Sequence, residues 1–140
     1  MRAIIEEAEA DPQVWLNDIE SRAEIKRTLC GNGHMVWHIW GEGPPIVFLH
    51  GGHGDWSHWC RNVEEIAANG FKVIAADLPG LGASDDPGPP YTAEGIGEIV
   101  HYGITNLLPE SMEVSLVGFS FGSVIGAVVA EKLDVRLKSF

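Results

Sequence analysis

Apolar residues recur along this chain in two rhythms, and the change from one to the other comes near Ile46. Before it, Asp11-Pro12 reads as a helix start, a capping carboxylate followed by a proline at the first helical position. Val14, Trp15, Leu16 and Ile19 then form one stripe of a short helix that needs a packing surface. Glu24 to Cys30 and His34 to Trp40 read as two strands, with Met35, Trp37 and Ile39 alternating as a half-buried strand requires. Gly31-Asn32-Gly33 between them predicts a three-residue hairpin turn, and Gly41 to Pro45 a loop.

From Ile46 onward the pattern becomes strand, loop, helix, repeated. Ile46 to Leu49 is a short apolar strand, followed by a Gly-rich turn from His50 to Asp55. Trp56 to Asn69 predicts one helix with Trp59, Val63, Ile66 and Ala67 on a single face, closed by Asn69-Gly70. Val73 to Ala76 is the next buried strand, and Gly80 to Pro90 a long loop. Thr92 caps a helix in which Ile96, Ile99, Val100, Ile104 and Leu107 keep helical period, and Pro109 marks its end. Strand Val114 to Val117, a turn at Gly118 to Gly122 and a helix from Ser123 to about Leu133 follow. Strands buried on both faces and alternating with helices predict an α/β fold, a mostly parallel sheet with helices on both faces. Residues 1–22 read as an N-terminal helical extension and 23–140 as the sheet-forming unit.

Composition narrows the function classes. With 140 residues, 45% of them hydrophobic, the chain can bury a core and is no disordered segment. Nine Lys and Arg against twenty Asp and Glu leave a net charge of −11, which repels phosphate backbones and anionic lipid. Neither nucleic acid nor a membrane is expected as a partner; a small-molecule substrate is. Two cysteines, Cys30 and Cys60, make no disulfide framework and suit a reducing, cytoplasmic compartment. Glu6, Glu7 and Glu9 behind Arg2 do not fit a signal peptide. Val114 to Ala130 is free of charge for 17 residues, yet its glycines and serines argue against a spanning helix.

The sharpest constellation is Gly118-Phe119-Ser120-Phe121-Gly122, a G-x-S-x-G between a strand and a helix. A serine on such a tight turn is forced out of the sheet, and flanking glycines leave room for neighbouring backbone. The helix behind it directs its partial positive end at any charge developing there, and the Phe121 N–H follows the serine directly. The second element is His50-Gly51-Gly52-His53-Gly54-Asp55, where glycines let an N–H at Gly52 or His53 face the same centre. That turn has other readings: packing alone, phosphate binding with Asp77 as a ribose acid, or a metal site from His50, His53, Asp55 and His58. Asp55 would repel a pyrophosphate, Trp56 crowds the approach, and the histidine spacing fits no zinc pattern. The third element, Asp77-Leu78-Pro79-Gly80-Leu81-Gly82-Ala83-Ser84, reads as a shaped structural loop.

In this order and at these distances the three elements resemble the N-terminal half of an α/β-hydrolase, over about residues 24–140. The resemblance implies Ser120 as nucleophile, oxyanion donors at Phe121 and at Gly52 or His53, elbow glycines at Gly118 and Gly122, and no cofactor or metal. Serine at position 120 argues against haloalkane dehalogenases and epoxide hydrolases, which carry aspartate there. Esterases, lipases, amidases, C–C hydrolases and perhydrolases stay open, as does a non-catalytic binding module. In the superfamily the triad acid and histidine follow the nucleophile. All six histidines, at 34, 38, 50, 53, 58 and 101, precede Ser120. The expectation is therefore a fragment, inactive and aggregation-prone alone, ending before the groups that would activate its serine.

Overall fold

The computed structural model describes residues 11–140. Six strands form one sheet: β1 (Glu24–Cys30), β2 (Gly33–Trp40), β3 (Pro45–Leu49), β4 (Lys72–Ala76), β5 (Val114–Gly118) and β6 (Leu137–Ser139). Their spatial order is β1-β2-β4-β3-β5-β6. β2 pairs antiparallel with both β1 and β4, while β3, β4, β5 and β6 run parallel. After β3 the chain crosses to β4 on one side, and β5 then returns to the other side of β3. Such a reversal opens a crevice beyond the carboxyl ends of the strands, here after Leu49 and Gly118.

Strand alternation sorts the core into two layers. Met35, Trp37, Ile39, Val47, Leu49, Ile74 and Leu116 face one side, where α3 (Ala93–Leu107) and α4 (Phe121–Leu133) cover them with Val100, Ile104, Ile125 and Val129. Trp40, Phe48, Val73 and Ala75 face the other, beneath Trp15 and Ile19 of α1 (Pro12–Ser21) and Val63 of α2 (Val63–Ala68). Helices thus lie on both faces of a mostly parallel sheet, as the pattern predicts. No helix among the described residues is long and apolar enough to cross a membrane; the uncharged stretch from Val114 is a strand, a turn and a helix.

Local chemistry explains the boundaries. Asp11 accepts the Val14 N–H at 3.3 Å with Pro12 behind it, and Trp15 and Ile19 pack inward while Val14 points to solvent. Of residues 1–22, expected as a helical extension, Pro12–Ser21 form α1, and those before Asp11 lie outside the described residues. Thr92 caps α3 by accepting the Gly95 N–H at 3.0 Å.

Three boundaries differ from the sequence reading. The hairpin turn has two residues, Gly31 and Asn32, because Gly33 already pairs with Cys30. Gly31 takes φ +58°, which suits such a turn. The single helix expected over Trp56 to Asn69 is instead a four-residue 3₁₀ turn, Trp56–Trp59, and the short α2. Its N–H groups at His58, Cys60 and Asn62 reach back only three residues. Tertiary demands outweigh helical period there: the Trp59 ring meets Phe48 edge-on at 5.1 Å while Trp56 is buried against His38 and Trp40. Finally, α4 begins at Phe121, two residues before Ser123, which places Phe121 in its first turn.

Glycines inside α3 are contact points. An ideal Cβ on Gly97 would stand 2.8 Å from Cβ of Val128, and one on Gly103 would stand 2.5 Å from Cζ2 of Trp37. On an open helix surface Gly→Ala stabilises by up to about 1 kcal/mol. Here the sign reverses: Gly97→Ala and Gly103→Ala are each expected to destabilise by about 1–3 kcal/mol through overpacking, read as a lower urea midpoint.

Candidate functional site

The carboxyl end of β5 runs directly into α4, and Ser120 sits at the joint with φ +54° and ψ −118°. A non-glycine residue in that region costs about 1–3 kcal/mol and persists only where its surroundings hold it. Several bonds do so. Phe119 N–H donates to the Leu49 carbonyl at 3.1 Å, tying the elbow to the end of β3. Gly122 N–H donates to Phe119 O and Ser123 N–H to Ser120 O, each at 2.9 Å, and the Ser123 hydroxyl joins the latter.

The two glycines of the motif are required by packing. A Cβ on Gly122 would fall on the Leu49 carbonyl oxygen and lie 2.5 Å from that of His50; one on Gly118 would lie 2.7 Å from Cα of Ser123. Both obstacles are backbone, which cannot swing aside. Ser120 itself is exposed, and its hydroxyl has no hydrogen-bond partner among the described residues.

The turn after β3 has most of its polar groups committed. His50 is fully buried, and its Nε2 accepts the Leu78 N–H at 2.9 Å, which leaves Nδ1 to donate to Gly51 O at 2.7 Å. Burial pushes its pKa down, and the ring is neutral in this arrangement. Gly51 N–H donates to Nδ1 of His58 at 3.1 Å, and Gly54 N–H to Gly51 O at 3.2 Å. Asp55 accepts the N–H and hydroxyl of Ser57. Among the described residues, the N–H groups of Gly52, His53 and Phe121 are left without an acceptor. They share one neighbourhood, since a Cβ on Gly52 would lie 3.8 Å from Cβ of Phe121.

These bonds also bear on the other readings of the turn. His50, His53, Asp55 and His58 do not converge: among the described residues no three His, Cys, Asp or Glu side chains come together as a metal site. Asp77 is buried too, its Oδ1 accepting the Trp56 N–H at 2.9 Å and its Oδ2 the Ala83 N–H at 3.1 Å. Burial raises its pKa, and these two N–H donors pull against that rise. Ser84 hydroxyl donates to Asp77 O at 2.6 Å and accepts the Val36 N–H at 2.8 Å. The Asp77-to-Ser84 loop is accordingly a clasp between β4, β2 and the 3₁₀ turn.

Phe119 and His58 carry no signal in the periodicity, yet both border the site. The Phe119 ring lies 3.0 Å from where a Gly51 Cβ would stand and meets His58 edge-on at 6.1 Å. With Trp59 and Asn62 they line a cleft of about 280 Å³ beside the elbow. His34, His38 and His101 lie elsewhere, on β2 and α3.

Comparison with known proteins places these features in context. Residues 44–140 match the family model for the alpha/beta hydrolase fold. The chain is 36% identical over 107 residues to Epoxide hydrolase 2 of Siraitia grosvenorii, covering 73% of this chain and 33% of that protein. It is 31% identical over 97 residues to the pimeloyl-[acyl-carrier protein] methyl ester esterase of Vibrio atlanticus (strain LGP32), covering 69% and 34%. A solved Vigna radiata epoxide hydrolase mutant superposes with a TM-score of 0.73 at 24% identity, over 84% of this chain and 37% of that one. The chain thus spans about a third of the length of these relatives.

Two predictions follow from the geometry. Ser120→Gly relieves the strained φ and is expected to raise stability by about 1 kcal/mol, after the entropic cost of the glycine, in urea unfolding. For His50, whose folded pKa is lowered, the unfolded chain binds the proton more readily, so stability falls as pH drops below about 6.5. The slope reaches at most about 1.4 kcal/mol per pH unit for one proton. Unfolding free energies at pH 5.5 and 7.5 should differ less in His50→Gln than in the parent.

Proposed function

Because the chain belongs to the alpha/beta hydrolase fold family, we propose that it carries the nucleophile and oxyanion hole of a serine hydrolase acting on an ester or a related acyl or C–C substrate. The observation that carries this reading is the meeting of an exposed serine at φ +54° with the free N–H groups of Phe121, Gly52 and His53. Such donors have their greatest effect where negative charge develops during acyl transfer.

In this mechanism Ser120 Oγ attacks the substrate carbonyl carbon and gives up its proton to a base. The carbonyl oxygen becomes an oxyanion, held by the Phe121 N–H at the positive end of α4 and by an N–H of the Gly52-His53 turn. Collapse of the tetrahedral adduct breaks the bond to the leaving group, which takes the proton, and leaves an ester on Ser120. Water then adds to the carbonyl carbon of that ester, the bond to Oγ breaks, the acyl group leaves as a carboxylic acid, and Oγ regains a proton. The family's base and its acid follow the nucleophile in the chain, and none of the histidines here has that position.

Relatives named for epoxide and for ester hydrolysis both match this chain. Position 120 favours acyl chemistry, since it supplies a hydroxyl rather than a carboxylate. A second reading, a binding module without turnover, is favoured by one observation: the Ser120 hydroxyl is hydrogen-bonded to no base among the described residues.

A fluorophosphonate probe and a short p-nitrophenyl ester separate the two. The serine hydrolase reading expects covalent label on Ser120, and ester hydrolysis lowered at least about 10⁴-fold in Ser120→Ala. Label that survives Ser120→Ala overturns the assignment of the nucleophile. Binding of the ester without label or turnover establishes the second reading instead.

A further inference from the structure

The turn that carries Gly52 and His53 stands on two feet. One is His50, locked to Leu78 and Gly51. The other is Trp56, and it is fixed twice: its backbone N–H donates to Asp77 at 2.9 Å, and its indole N–H donates to Oε2 of Glu20 at 3.0 Å. Glu20 belongs to α1, which lies outside the residues matched by the family model. The same carboxylate oxygen stands 3.0 Å from Nε2 of His38, a buried ring 5.2 Å from that of Trp56.

α1 is itself anchored on either side of Glu20. Trp40 indole N–H donates to Ile19 O at 3.1 Å, and Arg22 makes a two-bond pair with Glu64 of α2 at 2.6 and 2.8 Å. Glu20 is therefore presented from a fixed helix, and its oxygen is the junction between that helix and the foot of the turn.

We propose that Glu20 is a positioning residue for the oxyanion turn, acting through the Trp56 indole; as a statement about catalysis this rests on the function proposed above. The bond does not touch substrate. It restrains Trp56, and with it the path of residues 51–55, so that the free N–H groups of Gly52 and His53 stay beside Phe121. A glutamine at position 20 keeps an acceptor oxygen for the indole, whereas an alanine does not.

Hydrogen exchange tests the restraint without any turnover. The reporters are the bonded amides of Gly51, Gly54, Trp56 and Ser57, compared with those of β4, in the parent and in Glu20→Ala, Glu20→Gln, Trp56→Phe and the Glu20→Ala/Trp56→Phe pair. Glu20→Ala is expected to speed exchange at the four turn amides about tenfold while β4 is unchanged, and Glu20→Gln to restore most of the protection. At the turn amides Trp56→Phe should match Glu20→Ala and the double variant should add nothing, since the indole–carboxylate bond that both remove is the one that reaches the turn, whereas the Glu20 contact to His38 leads to β2. Unchanged turn amides in Glu20→Ala, an equal rise across β4, or additive effects in the double variant each overturn the proposal. Labelling of Ser120 in the parent, measured alongside, reports on the hydrolase reading separately: it can fail while the exchange result still decides the restraint.

Discussion

The approach of α4 to the end of β3 governs much else in this molecule. At Gly122 the helix backbone comes so near the carbonyls of Leu49 and His50 that no side chain fits between them. That contact sets where α4 starts, and the helix must then leave β5 within the span of Phe119 and Ser120. Ser120 meets the requirement only by adopting a positive φ, while the Phe119 N–H bonds across to Leu49. The same closeness brings the first N–H of α4 beside the turn that follows β3. Strain at the serine and the nearness of Phe121 to Gly52 are two results of one packing constraint.

The strain has to be offset elsewhere, and the sheet shows where. β3 is paired on both sides, with β4 and with β5, and its residues Val47 and Leu49 are fully buried. The parallel register from Ile46↔Ser115 to Leu49↔Gly118 fixes the two strand ends level with each other. Burying a side chain of that size contributes about 1.5–3 kcal/mol, so the two residues together exceed the about 1–3 kcal/mol stored at Ser120. An exposed, conformationally costly serine is stable here because its elbow is tied to the fully buried end of β3.

Much of this is legible in the sequence, and the larger misses share a cause. Period alone located β2 through Met35, Trp37 and Ile39, and α3 through Val100 and Ile104, because each packs against one layer and its pattern records that layer. The G-x-S-x-G motif was legible because glycine is the residue type that the Gly118 and Gly122 contacts require. The helix expected from Trp56 to Asn69 broke in two because Trp56 answers to Glu20 and Asp77, partners 36 and 21 residues distant. No local window contains such partners. His50 is similarly ambiguous in the sequence: its residue type suits a metal ligand or a shaped turn, and only the Leu78 and Gly51 bonds make it a neutral brace. The hairpin differed by one residue for a simpler reason, since Gly33 is as acceptable in a strand's first position as in a turn.

The aromatic group around His38 bears on how the chain should be divided. The family-model match begins at residue 44, which makes α1 look like an appendage. Packing draws no line there. Trp15 and Ile19 of α1 are buried in the same cluster as Trp40, Phe48 and Val73 of the sheet. The rings of His38, Trp40 and Trp56 lie within 5.2 to 6.1 Å of one another. Removing α1 would uncover that cluster and leave the indoles of Trp40 and Trp56 without their acceptors at Ile19 and Glu20. Burying a side chain of the size of Trp15 or Ile19 contributes about 1.5–3 kcal/mol, so losing both would consume much of the margin of a domain whose net stability is about 5–15 kcal/mol. The helix that the family-model match leaves out is, energetically, part of the layer on which the turn after β3 rests.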